Sequence, residues 1–155
     1  MGLFDFLKTK KSKESNSALV EESFDRIMTI LQVQSSMISG TLAPKDSLPK
    51  HEWILGYIFG HIDSFLQVGK LKDDDDAWKL ISLTVFRTYF GKEEGYEIFE
   101  DIPNLLEKKL FTEGRKVGGQ EIHDFLKKGE KYAPMGMVSF LHKKYKKYKK
   151  DKNQK

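Results

Sequence analysis

Hydrophobic side chains recur every three or four residues along most of the chain, which is the period of an amphipathic α-helix. Between residues 17 and 38, for example, Val20, Phe24, Ile27 and Leu31 fall on one stripe. The sequence lacks both sustained alternation with a period of two and the Asn-Gly or Asp-Gly turns of tight hairpins. The pattern predicts helices over 17–38, 49–68, 77–90, 93–111, 120–128 and from residue 134 onward.

Residues with special capping or backbone preferences set the predicted boundaries of these helices. Ser17 is a suitable N-cap for the first helix, and the aspartates at 73–76 suit the positive start of the third. Pro103 lacks a backbone N–H, so the fourth segment is predicted to divide or kink there. A break before the short fifth helix is predicted by three glycines, Gly114, Gly118 and Gly119. The chain is therefore predicted to be all-α, a single compact domain of about six or seven helices with basic, flexible termini.

The composition is that of a single domain with a substantial core. The chain has 155 residues, of which 39% are hydrophobic and 32% charged, and a chain of this length can bury most of its apolar surface. It has no cysteine, which excludes disulfides, thiolate metal sites and cysteine nucleophiles. No apolar run approaches the roughly 18 residues that a membrane span needs. The apolar stretch before the first lysines is too short for a secretory signal, so a cytoplasmic location is expected.

The net charge of +4 conceals an uneven distribution. Residues 1–13 contain four lysines and one aspartate, which gives +3. Residues 142–155 contain eight lysines and one aspartate (+7), whereas the body at 14–141 has 15 basic and 21 acidic residues (−6). The chain thus divides into a basic N-terminal segment with a short amphipathic stretch (1–13), an all-α globular domain (14–141) and a lysine- and tyrosine-rich tail (142–155).

The predicted helix at 49–68 carries one broad apolar face with a histidine inside it. Trp53, Tyr57, His61 and Phe65 form a row with i, i+4 spacing, next to a second row of isoleucines and leucine. Because buried polar groups are nearly always hydrogen-bonded, we expect His61 to be a core residue with one ring nitrogen bonded. His61 and Asp63 are two residues apart and point in different directions, so they cannot form a catalytic pair within this helix.

The other side of the same helix contains two glycines and two polar residues. Gly56 and Gly60 each cost about 1 kcal/mol relative to alanine in a helix interior, which predicts that a neighbouring helix approaches this side closely. Asp63 and Gln67 border that contact. If the second and third helices pack antiparallel, Arg87 could form a salt bridge with Asp63. A polar ligand or partner surface therefore stays open as an alternative, with these candidates: His61, Asp63, Gln67 and Arg87.

The predicted third helix is apolar around almost its whole circumference, as shown by Trp78, Leu80, Ile81, Val85 and Phe86. Helices with this pattern are usually enclosed by others. We therefore expect this helix to lie at the centre of the domain.

Sequence signatures of catalytic sites are missing. The chain has no nucleotide-binding loop, no HExxH or ExxH pattern and no Gly-x-Ser-x-Gly elbow. Glu93, Glu97 and Asp101 share one helical face, which is typical of a solvated acidic surface. We predict no cofactor and no metal site, and we expect a protein that is not an enzyme.

The dipeptide His123–Asp124 resembles the histidine–aspartate pair of the HD-type metal phosphohydrolases. That resemblance implies a metal site completed by further histidine and aspartate ligands on separate helices. After Asp124, however, the only aspartate is Asp151, which lies in the lysine tail. The required ligand set is incomplete, which argues against this activity.

Both ends combine lysines with apolar or aromatic residues, as interfacial membrane anchors do. The N-terminal stretch contains Leu3, Phe4, Phe6 and Leu7, and Tyr145 and Tyr148 interleave with the lysines of the tail. Lysines attract anionic lipid headgroups and nucleic acid phosphates alike, and a disordered lysine-rich tail can also serve only to keep the chain soluble. The predicted contacts with an anionic surface are Lys8, Lys10, Lys11, Lys13, Lys143, Lys144, Lys146, Lys147, Lys149 and Lys150.

These features favour a small, non-catalytic interaction module that binds a protein partner and attaches peripherally to an anionic membrane surface. The first alternative is a nucleic-acid-associated protein that uses the lysine tail, although an acidic body disfavours a broad nucleic-acid-binding face. The second is an enzyme or ligand-binding domain around His61 or His123. The sequence identifies neither the partner nor the oligomeric state.

Overall fold

The computed structural model describes the backbone of residues 3–39, 51–71 and 73–152. Over these ranges the chain is all-α, as predicted, and it forms six α-helices and one short 3-10 helix at Glu130–Tyr132. The helices are α1 (Leu3–Ser39), α2 (Glu52–Val68), α3 (Asp75–Phe90), α4 (Lys92–Leu105), α5 (Lys109–Lys128) and α6 (Gly136–Lys152). The connection between the predicted first and second helices, at residues 40–50, lies outside the described residues.

Several helix boundaries differ from the predictions. Helix α1 begins at Leu3 and not at Ser17, because the intervening sequence contains four lysines and two leucines, which are good helix formers, and neither glycine nor proline. The predicted segment 93–111 does divide, but at residues 106–108 and not at Pro103, which lies inside α4. The chain leaves the helix three residues later, where the Lys108 N–H donates to the Leu105 carbonyl over 2.9 Å in a tightened last turn.

The predicted break at Gly114, Gly118 and Gly119 was wrong as well. Helix α5 runs through all three glycines without interruption. A glycine weakens a helix only by its intrinsic propensity, and this cost can be offset by packing that the sequence of the helix itself does not reveal.

The helix at the centre of the core is α2, and not α3 as predicted. Every residue of α2 from Trp53 to Ile62 is buried. Helix α3 buries one side, through residues such as Ile81 and Phe86, while Leu80 remains 57% exposed. The difference arises because a second helix covers the glycine side of α2, which would otherwise face water.

That second helix is α5, and the two helices touch backbone to backbone. A Cβ atom built on Gly56 would overlap the main chain of Phe111, and one built on Gly60 would lie 2.7 Å from the Gly119 nitrogen. The contact is reciprocal. A Cβ on Gly114 would lie 2.9 Å from the Trp53 carbonyl carbon, and one on Gly118 would lie at the same distance from that of Tyr57. Since real Cβ atoms do not approach so closely, these four positions require glycine.

A methyl group at this contact should force the two helices apart. We predict that Gly118→Ala lowers the free energy of unfolding by about 3 kcal/mol, the upper range for overpacking a core, as measured by urea denaturation. Gly119→Ala is the matched control on the same helix. Its Cβ would meet only the Ser64 hydroxyl oxygen, at 3.3 Å, and the Gly60 carbonyl oxygen, at 3.6 Å. The control should therefore be neutral or stabilise by up to about 1 kcal/mol. Equal losses in both variants would contradict the proposed contact.

Candidate functional site

A groove of about 430 Å³ lies beside the glycine contact, between α2 and α5. Gly60 and Gly119 belong to its lining, and polar side chains from both helices surround them. We call it the α2–α5 groove. Its polar rim includes Asp63, Gln67, Arg115, Lys116, Gln120 and His123.

A salt bridge joins the two helices at this groove. The Arg115 guanidinium donates to one oxygen of Asp63 through Nε, at 2.8 Å, and approaches the same oxygen through Nη2, at 2.5 Å. The Asp63 side chain is only 16% exposed and that of Arg115 is 44% exposed. The guanidinium also lies 5.1 Å from the centre of the Phe59 ring, which adds a cation–π contact. The Asp63 carboxylate and the Phe59 ring therefore both hold Arg115 in place. The partner of Asp63 is Arg115, and not Arg87 as suggested by the sequence.

The structure brings together only part of the predicted polar site. Asp63 and Gln67 both line the α2–α5 groove. His61 faces the core from the other side of α2, and Arg87 lies on α3. The predicted site is thus divided, and α5 supplies most of the other polar side chains of the groove.

His61 is a fully buried histidine without a hydrogen bond. Its exposure is 0%, and neither ring nitrogen has a partner among the described residues. The expected hydrogen bond is therefore not made by any residue that the structure describes. The ring packs against Tyr57, with a centroid distance of 4.4 Å. Burial lowers the pKa of His61 to about 3, because an imidazolium ion is strongly disfavoured in an apolar environment.

The dipeptide His123–Asp124 lies on α5, where His123 forms part of the groove wall. The Asp124 carboxylate accepts hydrogen bonds from Lys128, at 2.9 Å, and from Gln120, at 3.2 Å. The bond from Lys128 lowers the pKa of Asp124. In the described part of the chain, no three histidine, aspartate or glutamate side chains are grouped so that they could hold a metal ion.

A buried polar cluster around the Tyr57 hydroxyl connects four helices. The hydroxyl donates to the Glu121 carboxylate of α5, at 2.5 Å, and accepts from the Gln34 amide of α1, at 3.2 Å. It also accepts from the Gly136 N–H at the start of α6, at 3.1 Å. Burial raises the pKa of Tyr57, and the nearby Glu121 carboxylate raises it further. Tyr57 therefore remains a neutral phenol that can both donate and accept.

The same cluster caps α6 with acceptors from other helices. The Gly136 N–H donates to Glu121 over 3.0 Å, and the Met137 N–H donates to Gln34 over 3.2 Å. The first N–H groups of a helix have no partner within it and attract negative charge. The Glu121 carboxylate satisfies both requirements, so the start of α6 is fixed by tertiary contacts.

Aromatic packing holds the next turn of α6. Phe140 stacks on Trp53 with a centroid distance of 4.2 Å and meets the edge of His51 at 5.0 Å. The His51 ring also caps α2, because its Nδ1 accepts a hydrogen bond from the backbone N–H of Trp53 at 3.2 Å. Burial, followed by the charge of Lys144, lowers the pKa of His51. This keeps the ring neutral and able to accept.

The predicted anionic-surface lysines lie on the two long terminal helices. Lys143 and Lys144 are exposed on α6, two and three residues after the buried Leu141. The backbone of the other predicted lysines is also helical, but their side chains lie outside those that the structure describes: Lys8, Lys10, Lys11 and Lys13 on α1, and Lys146, Lys147, Lys149 and Lys150 on α6.

Among the described residues, no helix is long and apolar enough to cross a lipid bilayer. Comparisons with protein-family models, with curated proteins and with solved structures found no match to this chain.

Sequence reasoning missed the α5 half of the site, and one signal could have found it. Gly56 and Gly60 are four residues apart, and Gly114 and Gly118 have the same spacing. Two helices with matching glycine pairs can approach each other closely. Taking α5 as continuous would have placed Arg115 next to this contact. No comparable pattern in the sequence predicts the cluster of Gln34, Tyr57 and Glu121.

The burial of His61 predicts that acid destabilises the protein. The folded state keeps His61 neutral down to about pH 3, whereas a histidine in the unfolded chain is expected to have its ordinary pKa of 6.5. Below pH 6.5 the unfolded state therefore binds more protons than the folded state, and stability falls as the pH falls. For this one group, the equilibrium constant of unfolding rises by at most tenfold for each pH unit of acidification. In urea unfolding at a series of pH values, His61→Leu should show a flatter profile between pH 6.5 and 5 than the wild type. The control His142→Gln replaces an exposed histidine and should give the same profile as the wild type. A wild-type profile for His61→Leu would contradict the prediction.

The capping role of Glu121 predicts a selective loss of stability. Glu121→Ala leaves the Tyr57 hydroxyl and the Gly136 N–H without their carboxylate acceptor, which should cost about 1–3 kcal/mol in urea unfolding. Glu121→Gln keeps an acceptor oxygen and should recover part of that loss. Glu113→Ala removes an exposed carboxylate from the same helix and should change stability by less than about 0.5 kcal/mol. Equal effects at Glu113 and Glu121 would refute the cap.

Proposed function

We propose that this protein is a non-catalytic helical interaction module that attaches reversibly to an anionic membrane surface through α6 and the start of α1. The observation that carries the proposal is the position of the lysine-rich end. This end continues a helix whose first turn is fixed by Tyr57, Glu121 and Gln34. Lysines placed on an anchored helix keep a defined orientation relative to the body.

The charge distribution supports a specific orientation at the membrane. The segments 1–13 and 142–155 carry +3 and +7, whereas the body between them carries −6. An anionic surface attracts the two ends and repels the body. Each lysine close to such a surface contributes about 1 kcal/mol. The body is thus presented to the cytoplasm, where a protein partner can bind it.

The apolar residues of the first segment favour a membrane over nucleic acid. Leu3, Phe4, Phe6 and Leu7 precede the first lysines, and α1 includes this segment as helix. Apolar side chains next to lysines on a helix are suited to the boundary between headgroups and acyl chains. A phosphate backbone offers no comparable environment for leucine and phenylalanine.

The test is co-sedimentation of the full chain with vesicles of neutral phosphatidylcholine and with vesicles that contain phosphatidylglycerol. We expect binding to anionic vesicles only, weakening as salt rises because exposed charges are screened. Replacing six tail lysines by glutamine should reduce binding at least a hundredfold, given about 1 kcal/mol for each lysine. These are Lys143, Lys144, Lys146, Lys147, Lys149 and Lys150. The control replaces exposed lysines of α5 instead, Lys109 and Lys127, and should leave binding nearly unchanged.

Two outcomes would overturn this proposal. The first is equal recovery with neutral and anionic vesicles, and the second is binding that does not respond to the tail substitutions. Binding to duplex DNA that falls steeply between low and moderate salt, without vesicle binding, would support the nucleic-acid alternative in its place.

A further inference from the structure

One glycine of α5 is not explained by helix packing. Gly56, Gly60, Gly114 and Gly118 are each required because a Cβ would overlap the backbone of the facing helix. Gly119 differs, since its Cβ would meet no backbone atom closer than 3.6 Å. It would lie 3.3 Å from the Ser64 hydroxyl oxygen, which donates to the Gly119 carbonyl at 2.8 Å, so alanine fits if the Ser64 side chain shifts by a few tenths of an ångström. Glycine at this position leaves room for the Ser64 hydroxyl and opens the lining of the α2–α5 groove.

The groove is positively charged although the body around it is acidic. Its lining contains the cations Arg115 and Lys116, the imidazole of His123 and a single carboxylate, Asp63. The segment 14–141, which contains the groove, has a net charge of −6. Arg115, Lys116 and Asp63 therefore give the lining a net charge of +1, whereas the segment that contains it is acidic.

The pairing of Asp63 concentrates that excess on one side. Arg115 binds Asp63 through two nitrogens, so this carboxylate is already neutralised. Among the described side chains, Lys116 has no carboxylate partner within salt-bridge distance. Lys116, Gln120 and His123 follow one another on α5 at intervals of four and three residues, so they lie on one helical face. Gln67 lines the same groove from α2.

From these observations we propose that the α2–α5 groove is a binding site for an oxyanion group, a phosphate or a carboxylate, of a small molecule. The Lys116 ammonium supplies the charge, and the Gln67 amide and the His123 ring can donate hydrogen bonds. Gly119 leaves room for the ligand to approach the helix backbone. The volume of about 430 Å³ is in the range of small-molecule sites. This site is separate from the basic ends and does not depend on the membrane proposal.

The test is a titration of the full, isotope-labelled chain with inorganic phosphate, and separately with acetate, at constant ionic strength. Binding is followed by the backbone amide signals in two-dimensional NMR. We expect saturable shifts concentrated at residues 60–67 and 112–123. Saturation with phosphate alone supports a phosphate ligand, and saturation with acetate supports a carboxylate ligand. Small, linear shifts spread over the whole chain with both probes would overturn the proposal.

Two variants test the assigned residues. Lys116→Gln should weaken phosphate or acetate binding roughly fivefold, the upper range for one charge pair at a partly exposed site. Lys109→Gln, on the same helix but outside the groove, should bind like the wild type. Gly119→Ala should weaken binding at unchanged or greater stability, so its effect cannot come from unfolding. Wild-type affinity in both Lys116→Gln and Gly119→Ala would refute the site.

Discussion

Helix α2 can be enclosed on all sides only because α5 lies against it with backbone touching backbone. Most helices keep one face in water, yet α2 is buried without interruption from Trp53 to Ile62. Any side chain at Gly56, Gly60, Gly114 or Gly118 would separate the two helices. Each of these glycines weakens its own helix by about 1 kcal/mol. The enclosed apolar surface of α2 and the dispersion contacts along the crossing compensate for that loss.

The polar contacts of the fold follow from this crossing. With α5 fixed against α2, Arg115 lies beside Asp63 and Glu121 lies beside the Tyr57 hydroxyl. The Glu121–Tyr57 pair then accepts the first N–H of α6. The same enclosure buries His61 completely, without a hydrogen-bond partner among the described residues, and burial lowers its pKa. One close contact thus determines the salt bridge, the cap of α6 and the depressed pKa of a core histidine.

Local patterns in the sequence predicted the helices well, but they could not predict how the helices pair. The all-α class and the extent of α2 and α3 follow from hydrophobic spacing and from capping residues such as Asp74. The interpretation failed where a residue's role depends on a partner distant in sequence. Gly114 and Gly118 look like helix breakers when α5 is considered alone, and they stabilise the fold only against α2. The partner of Asp63 is 52 residues away, beyond any periodicity argument.

The two proposed binding surfaces have different relations to the central contact. Helix α6, which carries the lysines, is attached to the body by the hydrogen bond from the Gly136 N–H to Glu121 and by the stacking of Phe140 on Trp53. The crossing of α2 and α5 therefore sets the direction in which α6 leaves the core. The groove, by contrast, continues from the crossing itself, beginning at Gly60 and Gly119, where the Cβ of an alanine at position 119 would meet no backbone atom closer than 3.6 Å. A rigid contact made of glycine brings two helix backbones close together and leaves an open lining where the contact ends. The feature that stabilises the fold therefore also creates the groove, and the side chains around it decide what the groove can bind.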